Sequence, residues 1–543
     1  MKANIQAGFL YIVIASAVMF SWFHYGLMYG GLDIGIPTYN PQRILEIIVK
    51  PWWSETVPGY PRPINISAIP VQLFFTLLQH FGLPPYMIQA TTFGILLFLM
   101  GFGMFLLVKD ILKGEKIGIA VLAGFFYIVN PFMMISVWHR FIYSAFFFAA
   151  SLPFLLLFWK KWIREKDFTS LTLFLMVNFF FSYMFATLAN VITLWLVLGL
   201  YTLFEIVVPW AGFKRAIRVS LTFSLGLLLW VLTNAWWIAS VLFVLPALAS
   251  AQQSVGNTIS TLFAIGKYSI VSHALPGLNP FYLFRRRELG EVFSHPLFLF
   301  IPWLGVSYIM LGAYYARKNR ELIFWSILFI TAVFLAKGVA PPLGYIYPYI
   351  FEKFFFLGIL RNPFEKFGIL IPFAGSILFS LSFYNLAVYF WRRNILVGKA
   401  AIILSFGLFF GIYHWPFWSG MLFGTVDSKN FVEVPSYYQQ ANQWITDQKK
   451  DGNILHLPLP KGDSATYKWQ YGYSGLDPNL DIFASNPSIL TRFGLSYIDD
   501  ALEGFDLIDK FDSSQHSENL KELFRSFNVR FIVLHNDINW QKS

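Results

Sequence analysis

The chain has 543 residues, of which 57% are hydrophobic, 20% aromatic and only 13% charged. A soluble protein devotes about a quarter of its residues to charge, and a water-facing surface has no room for so much apolar area, so a soluble globule is excluded and a polytopic membrane protein expected. The net charge of +11 divides into +16 over residues 1–419 and −5 over residues 420–543.

The absence of cysteine excludes disulfides, thiolate metal sites, iron–sulfur clusters and cysteine nucleophiles together. The basic membrane part follows from retention of Lys and Arg on cytoplasmic loops. The soluble part has no basic stripe with interleaved aromatics, so nucleic acid is excluded as a partner.

In chain order, the first charge-free run lies between Lys2 and Asp33. As a helix its 30 residues would span ~45 Å, more than the ~30 Å hydrocarbon core. It must therefore emerge or bend near Asp33, and its length and lack of a small-residue cleavage pattern make it an anchor. Further crossings are expected at 86–108, 117–139, 141–159, 292–316, 321–337, 367–391 and 400–426. The run 168–208 reads as two crossings joined near Asn190, and 219–266 as one crossing followed by a polar loop at Ser250–Ser260. Ile66–Leu83, interrupted by Pro70, Gln72 and Gln79, reads as a helix on the outer surface. Trp52, Trp53 and Tyr60 just before it suit an interface.

That gives about eleven transmembrane helices. With the N-terminus inside, the short cytoplasmic loops collect clusters such as Lys160, Lys161, Arg164 and Lys214, Arg215, Arg218. An odd number of crossings puts the tail outside. From Ser428 the tail reads as helix (Pro435–Lys450), strand (Asn453–Leu459), a loop-dominated stretch, helix (Glu518–Phe527) and strand (Val529–His535), the pattern of a small α/β domain. The expected architecture is thus an α-helical polytopic membrane protein of the plasma membrane. Residues 1–427, with a first outer loop 31–85, form the membrane domain, and 428–543 form a small extracytoplasmic α/β domain.

Signatures of soluble enzymes are absent: no GxxxxGK, GxGxxG after a strand, HExxH or GxSxG occurs. The lack of any Asp-x-Asp pair leaves no place for the metal of a nucleotide-sugar enzyme, so a donor supplied by the membrane is expected, with no metal and no cofactor. Asp33, in Gly31-Leu-Asp-Ile-Gly-Ile-Pro-Thr-Tyr-Asn-Pro41, is placed to act as a general base at a water–lipid boundary. The alternative is a plain helix-terminal acid before a Gly/Pro turn.

Two basic features fall on the expected outer side. Arg285-Arg-Arg287 is an anion site, a sign that the topology differs there, or a headgroup contact. Arg361-Asn-Pro-Phe-Glu-Lys-Phe367 offers Arg361 and Lys366 to an anion, or pairs them internally with Glu365 or Glu352. His139 and Arg140 end the third crossing, as interfacial anchors or as cleft residues. Asn65-Ile-Ser67 is a weak glycosylation sequon.

An N-in helix followed by an acid, an outer loop with surface helices, many crossings and an outer tail together resemble the GT-C fold of membrane glycosyltransferases that use polyprenyl-phosphate sugars. More narrowly, Asp33…Pro37…Asn40-Pro41, Trp52, Trp53 and Pro70 resemble the arabinofuranosyltransferase-type GT-C module of actinobacterial cell walls, and the bacterial multipass family that glycosylates lipoteichoic acid. Arg361–Phe367 resembles their Arg-x-Pro…Lys-Phe motif before a helix, and Asn528–His535 a strand of their outer domain.

The resemblance implies transfer of a sugar from a polyprenyl-phosphate donor to a glycan, lipid or protein acceptor. Asp33 would be the base, Arg361, Lys366 and Arg286 would hold the donor phosphate, and His139, Arg140 and Glu365 would line the cleft. The rival readings are a transporter or flippase of lipid-linked saccharides and a non-catalytic assembly scaffold. Carriers bury ionisable groups at mid-membrane, where this sequence has almost none.

Overall fold

A computed structural model of the chain describes residues 2–50, 52–54, 60–61, 63–208, 212–254, 259–283, 287–424, 430–458, 464–484, 486–489 and 517–538. The chain packs as two compact units. The first comprises Met1–Trp22, Thr91–Ala235 and Gly256–Leu422, and the second Phe23–Ala90, Trp236–Val255 and Phe423–Ser543.

The protein is a multi-pass membrane protein. Among the described residues, eight helices are long and apolar enough to cross a bilayer: Lys2–Trp22, Pro85–Ile111, Tyr143–Glu165, Ala189–Val207, Phe213–Phe243, Pro296–Ala316, Leu370–Arg392 and Leu396–Tyr413. A ninth arises if Ile117–Ile128 and Met133–His139, bent by 50° at their break, count as one. All eleven expected crossings are helical, but two are short. Phe168–Phe180 has 13 residues and Arg320–Ala336 has 17, which at 1.5 Å per residue reach only ~20 Å and ~26 Å.

Four other expectations differ in detail. The first helix stops at Trp22, well before Asp33, because the chain leaves it to pair as a strand at Met28–Tyr29. The break expected near Asn190 is a 3-10 turn at Ser182–Ala186. Asn190 itself sits in the next helix and donates to Met184 O at 2.7 Å. The helix from Phe213 continues through Ser254, since Ala251, Gln252 and Gln253 in that polar stretch are good helix formers. Ile66–Leu83 forms an α-helix only over Ile69–His80, preceded by a 3-10 helix at Pro63–Ala68; the α-helix is ~18 Å long and too short to cross.

Within the first unit, Leu370–Arg392 is the hub. Every residue from Leu370 to Phe383 is buried, and the helices Ile117–Ile128, Pro296–Ala316, Arg320–Ala336 and Leu396–Phe406 all pack on it. The approach of Pro296–Ala316 is close enough to demand glycine: a Cβ on Gly312 would lie 1.9 Å from Leu378 O. At the N-terminus, Trp22 donates from its indole to Phe417 O at 2.6 Å, so the anchor helix is held by a hydrogen bond as well as by apolar contact.

The second unit contains the expected tail elements: the helices Ser436–Asp447 and Ser517–Ser526, and a parallel sheet in which Asn453–Leu457 lies between Ser488–Ile489 and Val529–Leu534. The stretch expected as loop also holds an antiparallel hairpin, Ser464–Tyr467 with Tyr473–Leu476. The first outer loop folds onto this tail, with Met28 opposite Val432 and Tyr29 opposite Phe431. The Gln89 side chain closes the free edge of that short strand, accepting from Tyr29 N at 2.7 Å and donating to Tyr29 O at 2.9 Å.

Gly312→Ala is expected to cost roughly 1–3 kcal/mol, because backbone must move to admit the methyl. Gly407→Ala, which faces open space, should leave the thermal midpoint of the detergent-solubilised protein unchanged. Equal midpoints for the two variants would contradict the close approach.

Candidate functional site

In the first unit, the sequence Arg361–Phe367 makes a one-turn helix, Pro363–Phe367. Its start is locally coded. Pro363 supplies a fixed φ at the first helical position, and the Asn362 side chain caps it by accepting from Glu365 N at 3.4 Å. The same side chain donates to Glu365 Oε2 at 2.9 Å. Arg140 and Lys366 both form ion pairs with Glu365. Burial alone would raise the Glu365 carboxyl, but the flanking Arg140 and Lys366 overcome that and hold it well below the usual carboxylate range.

Arg140 reaches this carboxylate because the preceding helix is broken. Asn130 donates to Phe126 O and Tyr127 O at 3.0 Å and accepts from Met133 N at 2.9 Å, closing the break before Pro131. The chain resumes as a π-helix over Met133–His139. His139 and Arg140 are both buried, so they are interior groups and not interfacial anchors. His139 Nδ1 lies 2.7 Å from Leu422 O.

Beside the carboxylate is a small pocket of about 20 Å³ lined by Ser136, Ser144, Thr187, Asn190, Glu365 and Lys366, room for a water-sized group. Ser144 and Thr187 hydroxyls bond to each other at 2.7 Å. The Ser136 hydroxyl is buried without a partner among the described residues. Arg361, one residue before the cap, is exposed. Of the predicted anion-binding residues, Lys366 therefore takes the internal pair with Glu365. Arg286 lies outside the described residues.

In the second unit, Asp33 is exposed at the tip of a five-residue turn. Gly31 and Gly35 have φ of 90° and 69°, and Leu32 between them is also left-handed at 52°. Gly31 N donates to Gly35 O at 2.8 Å, closing the turn. The turn is then fixed to the tail hairpin: Leu32 N donates to Ser474 O at 2.9 Å and Leu476 N to Leu32 O at 2.8 Å. Contact is so tight that a Cβ on Gly475 would sit 2.1 Å from Leu32 N. Pro37 to Pro41 serve the next element, Asn40 capping the helix Pro41–Ile48 through Arg43 N at 3.4 Å.

Three known structures share the fold of this chain. A cryo-EM structure of arabinofuranosyltransferase AftD from Mycobacteria superposes with a TM-score of 0.68 at 15% identity, covering 99% of this chain and 35% of that one. A mutant form of that enzyme gives 0.62 at 15% identity over 99% of this chain and 37% of that one. A second class of the mutant gives 0.56 at 15% over 98% and 36%.

The chain has the GT-C fold of these arabinofuranosyltransferases. It spans about a third of their length, 35% to 37%. Residues 280–543 also match the family model of the N-terminal GT-C domain of α-(1→3)-arabinofuranosyltransferase. No curated protein matches the sequence. In this GT-C chain the family match includes Arg361–Phe367 and the tail strand Val529–Leu534, whereas the Asp33 turn lies before it. Among the described residues, no group of three or more His, Asp or Glu is placed to hold a metal.

Sequence reading missed a buried polar chain in the tail. Ser488 Oγ lies 3.2 Å from His456 Nε2, His456 Nδ1 lies 2.9 Å from His535 Nε2, and His535 Nδ1 lies 3.0 Å from the Tyr438 hydroxyl. Tyr438 donates to Asp537 Oδ2 at 3.0 Å. The bonds are satisfied by two neutral imidazoles, each donating from Nδ1 and accepting at Nε2, and burial favours the neutral form of both. No sequence spacing announces this, since His456 and His535 meet only through the parallel register of their strands.

Two measurements check these assignments. Glu365→Gln leaves the Arg140 and Lys366 charges facing each other, and should cost roughly 3–5 kcal/mol in denaturation, with Arg140→Gln as a second change restoring part of the loss. The tail should also lose stability in mild acid. Burial lowers His535 to about 4, and burial with the neighbouring imidazole lowers His456 well below its usual value. Unfolding frees both to take up protons, so the stability they confer is complete above the unfolded value of about 6.5 and is lost toward pH 4. Asp477 acts in the opposite sense, burial pushing it up to about 6, but it is one group against two. Hydrogen exchange of the strand Asn453–Leu457 should therefore accelerate between pH 6.5 and pH 4. Flat exchange, once corrected for intrinsic rates, would refute the neutral pair.

Proposed function

We propose that this chain is an integral-membrane glycosyltransferase that moves a sugar from a polyprenyl-phosphate donor to a glycan, lipid or protein acceptor outside the plasma membrane, with its N-terminus inside and its tail outside. The observation that carries the reading is the fold: arabinofuranosyltransferase AftD superposes over 99% of this chain. The name of that enzyme makes an arabinofuranosyl donor the first to test.

In the proposed reaction, Asp33 is the base. It takes the proton of an acceptor hydroxyl as that oxygen attacks the anomeric carbon. The bond from that carbon to the phosphate oxygen breaks, and polyprenyl phosphate leaves. A phosphate leaves as a stable anion, so a single acid–base group is enough. Arg361 contacts the phosphate and offsets the charge that grows on it. Lys366 acts through Glu365, which with Arg140 fixes the one-turn helix carrying these groups. Metal-independent transfer is expected, with the Arg361 guanidinium supplying the positive charge.

The anchoring of the Asp33 turn supports its role. Two backbone hydrogen bonds and two left-handed glycines hold an exposed carboxylate in one place, whereas a carboxylate on a loose loop would pay an ordering cost in each turnover. Asp33→Asn is expected to insert and fold like the parent but to reduce transfer of radiolabelled arabinose from polyprenyl phosphate by at least about a hundredfold. Transfer at the parental rate would remove Asp33 from the mechanism. Movement of the intact lipid-linked sugar across vesicles without bond cleavage would favour a flippase.

A further inference from the structure

At one end of the first unit, the helices Tyr143–Glu165, Ala189–Val207, Phe213–Ser254 and Arg320–Ala336 bring together charges that are far apart in sequence. Glu205, almost fully buried, is approached by three guanidinium groups. Arg164 pairs with it and with Glu321, Arg320 Nη2 lies 3.0 Å away, and Arg215 Nη2 lies 3.5 Å away. Above them opens a cavity of about 690 Å³ lined by Arg164, Lys166, Arg215, Arg218 and Arg320, with Glu165, Glu205 and Glu321.

The cluster contains more positive charge than its own acids neutralise. Five cations face three carboxylates in the lining. Each guanidinium carries five N–H donors, and one carboxylate offers about four acceptor sites. Arg320 Nε is buried without a hydrogen-bond partner among the described residues. Lys166 and Arg218 are exposed and make no ion pair among the described residues. Those donors are arranged around a space of the size that holds a phosphoryl group with its substituents.

We infer that this cavity binds a phosphate-bearing anion, in its lipid form the headgroup of an anionic phospholipid. The cavity lies where membrane helices begin and end, which is headgroup depth. Beside it, Phe213 and Leu221 are exposed at 79% and 66%, with Ile217 between them, an apolar strip on the same helix against which acyl chains can lie. Basic pockets between transmembrane helices bind anionic headgroups in this way. The inference is independent of the transfer reaction and of which leaflet the cavity faces.

Native mass spectrometry of the full-length protein, extracted from vesicles of phosphatidylglycerol and phosphatidylcholine, tests it. The parent should retain phosphatidylglycerol over phosphatidylcholine. Arg218→Gln with Lys166→Asn should reduce that retention roughly tenfold or more, because each lost charge-assisted contact is worth about that factor. Asn suits position 166, where φ is 55°, and neither side chain holds the fold through an ion pair, so the variant's thermal midpoint should match the parent. Arg392→Gln with Arg393→Gln, a basic pair outside the cavity, is the control for nonspecific attraction. Displacement of lipid by millimolar inorganic phosphate would assign the site to a free phosphate compound, and lack of displacement to the lipid headgroup. Unchanged retention in the cavity variant, or an equal loss in the control, would overturn the site.

Discussion

An interrupted helix in apolar surroundings leaves backbone groups that no water can satisfy, and each such group costs several kcal/mol. This chain meets that constraint with asparagine. Asn130 closes the break before Pro131, Asn190 takes Met184 O after the 3-10 turn, and Asn362 starts the one-turn helix before Leu370. The ionisable groups of the first unit's candidate site stand immediately beyond those breaks. Arg140 follows the π-helix, and Glu365 and Lys366 follow Asn362. Without the amide closures the breaks would be too costly, and without the breaks these charges would be trapped inside regular helices.

The two units solve different problems. In the first, acids are buried and each is paired with more than one cation: Glu365 lies between Arg140 and Lys366, as Glu205 does among three arginines. Such clusters fix geometry more than they add stability, since desolvation consumes most of the Coulomb gain. In the second, Asp33 is left exposed while the backbone around it is fixed by hydrogen bonds to residues more than four hundred positions later. The first outer loop cannot take this shape alone, because its strand Met28–Tyr29 and its turn both need partners from the tail.

Much of this was legible in the sequence. The expected apolar segments cover each of the eight helices that, among the described residues, are long and apolar enough to cross, because such a run has no other stable conformation in lipid. Two tail helices and two tail strands followed from local periodicity, though not the hairpin between them, and Asn40-Pro41 and Asn362-Pro363 are caps whose function needs no distant residue. The motif from Arg361 to Phe367 could therefore be recognised as a helix start before any contact was known. Less legible were the ends: the first helix stops at Trp22 and not near Asp33 because strand pairing with Phe431–Val432 competes for that segment.

The sequence alone determined the membrane class, the apolar segments and the local caps, since these depend on composition and on neighbours within four residues. Only the tertiary structure decided the partners. It gave Arg164 to Glu205 and Lys366 to Glu365, and placed His456 beside His535. Pairings across long stretches of chain depend on helix packing and strand register, and neither leaves a periodic trace in the order of residues.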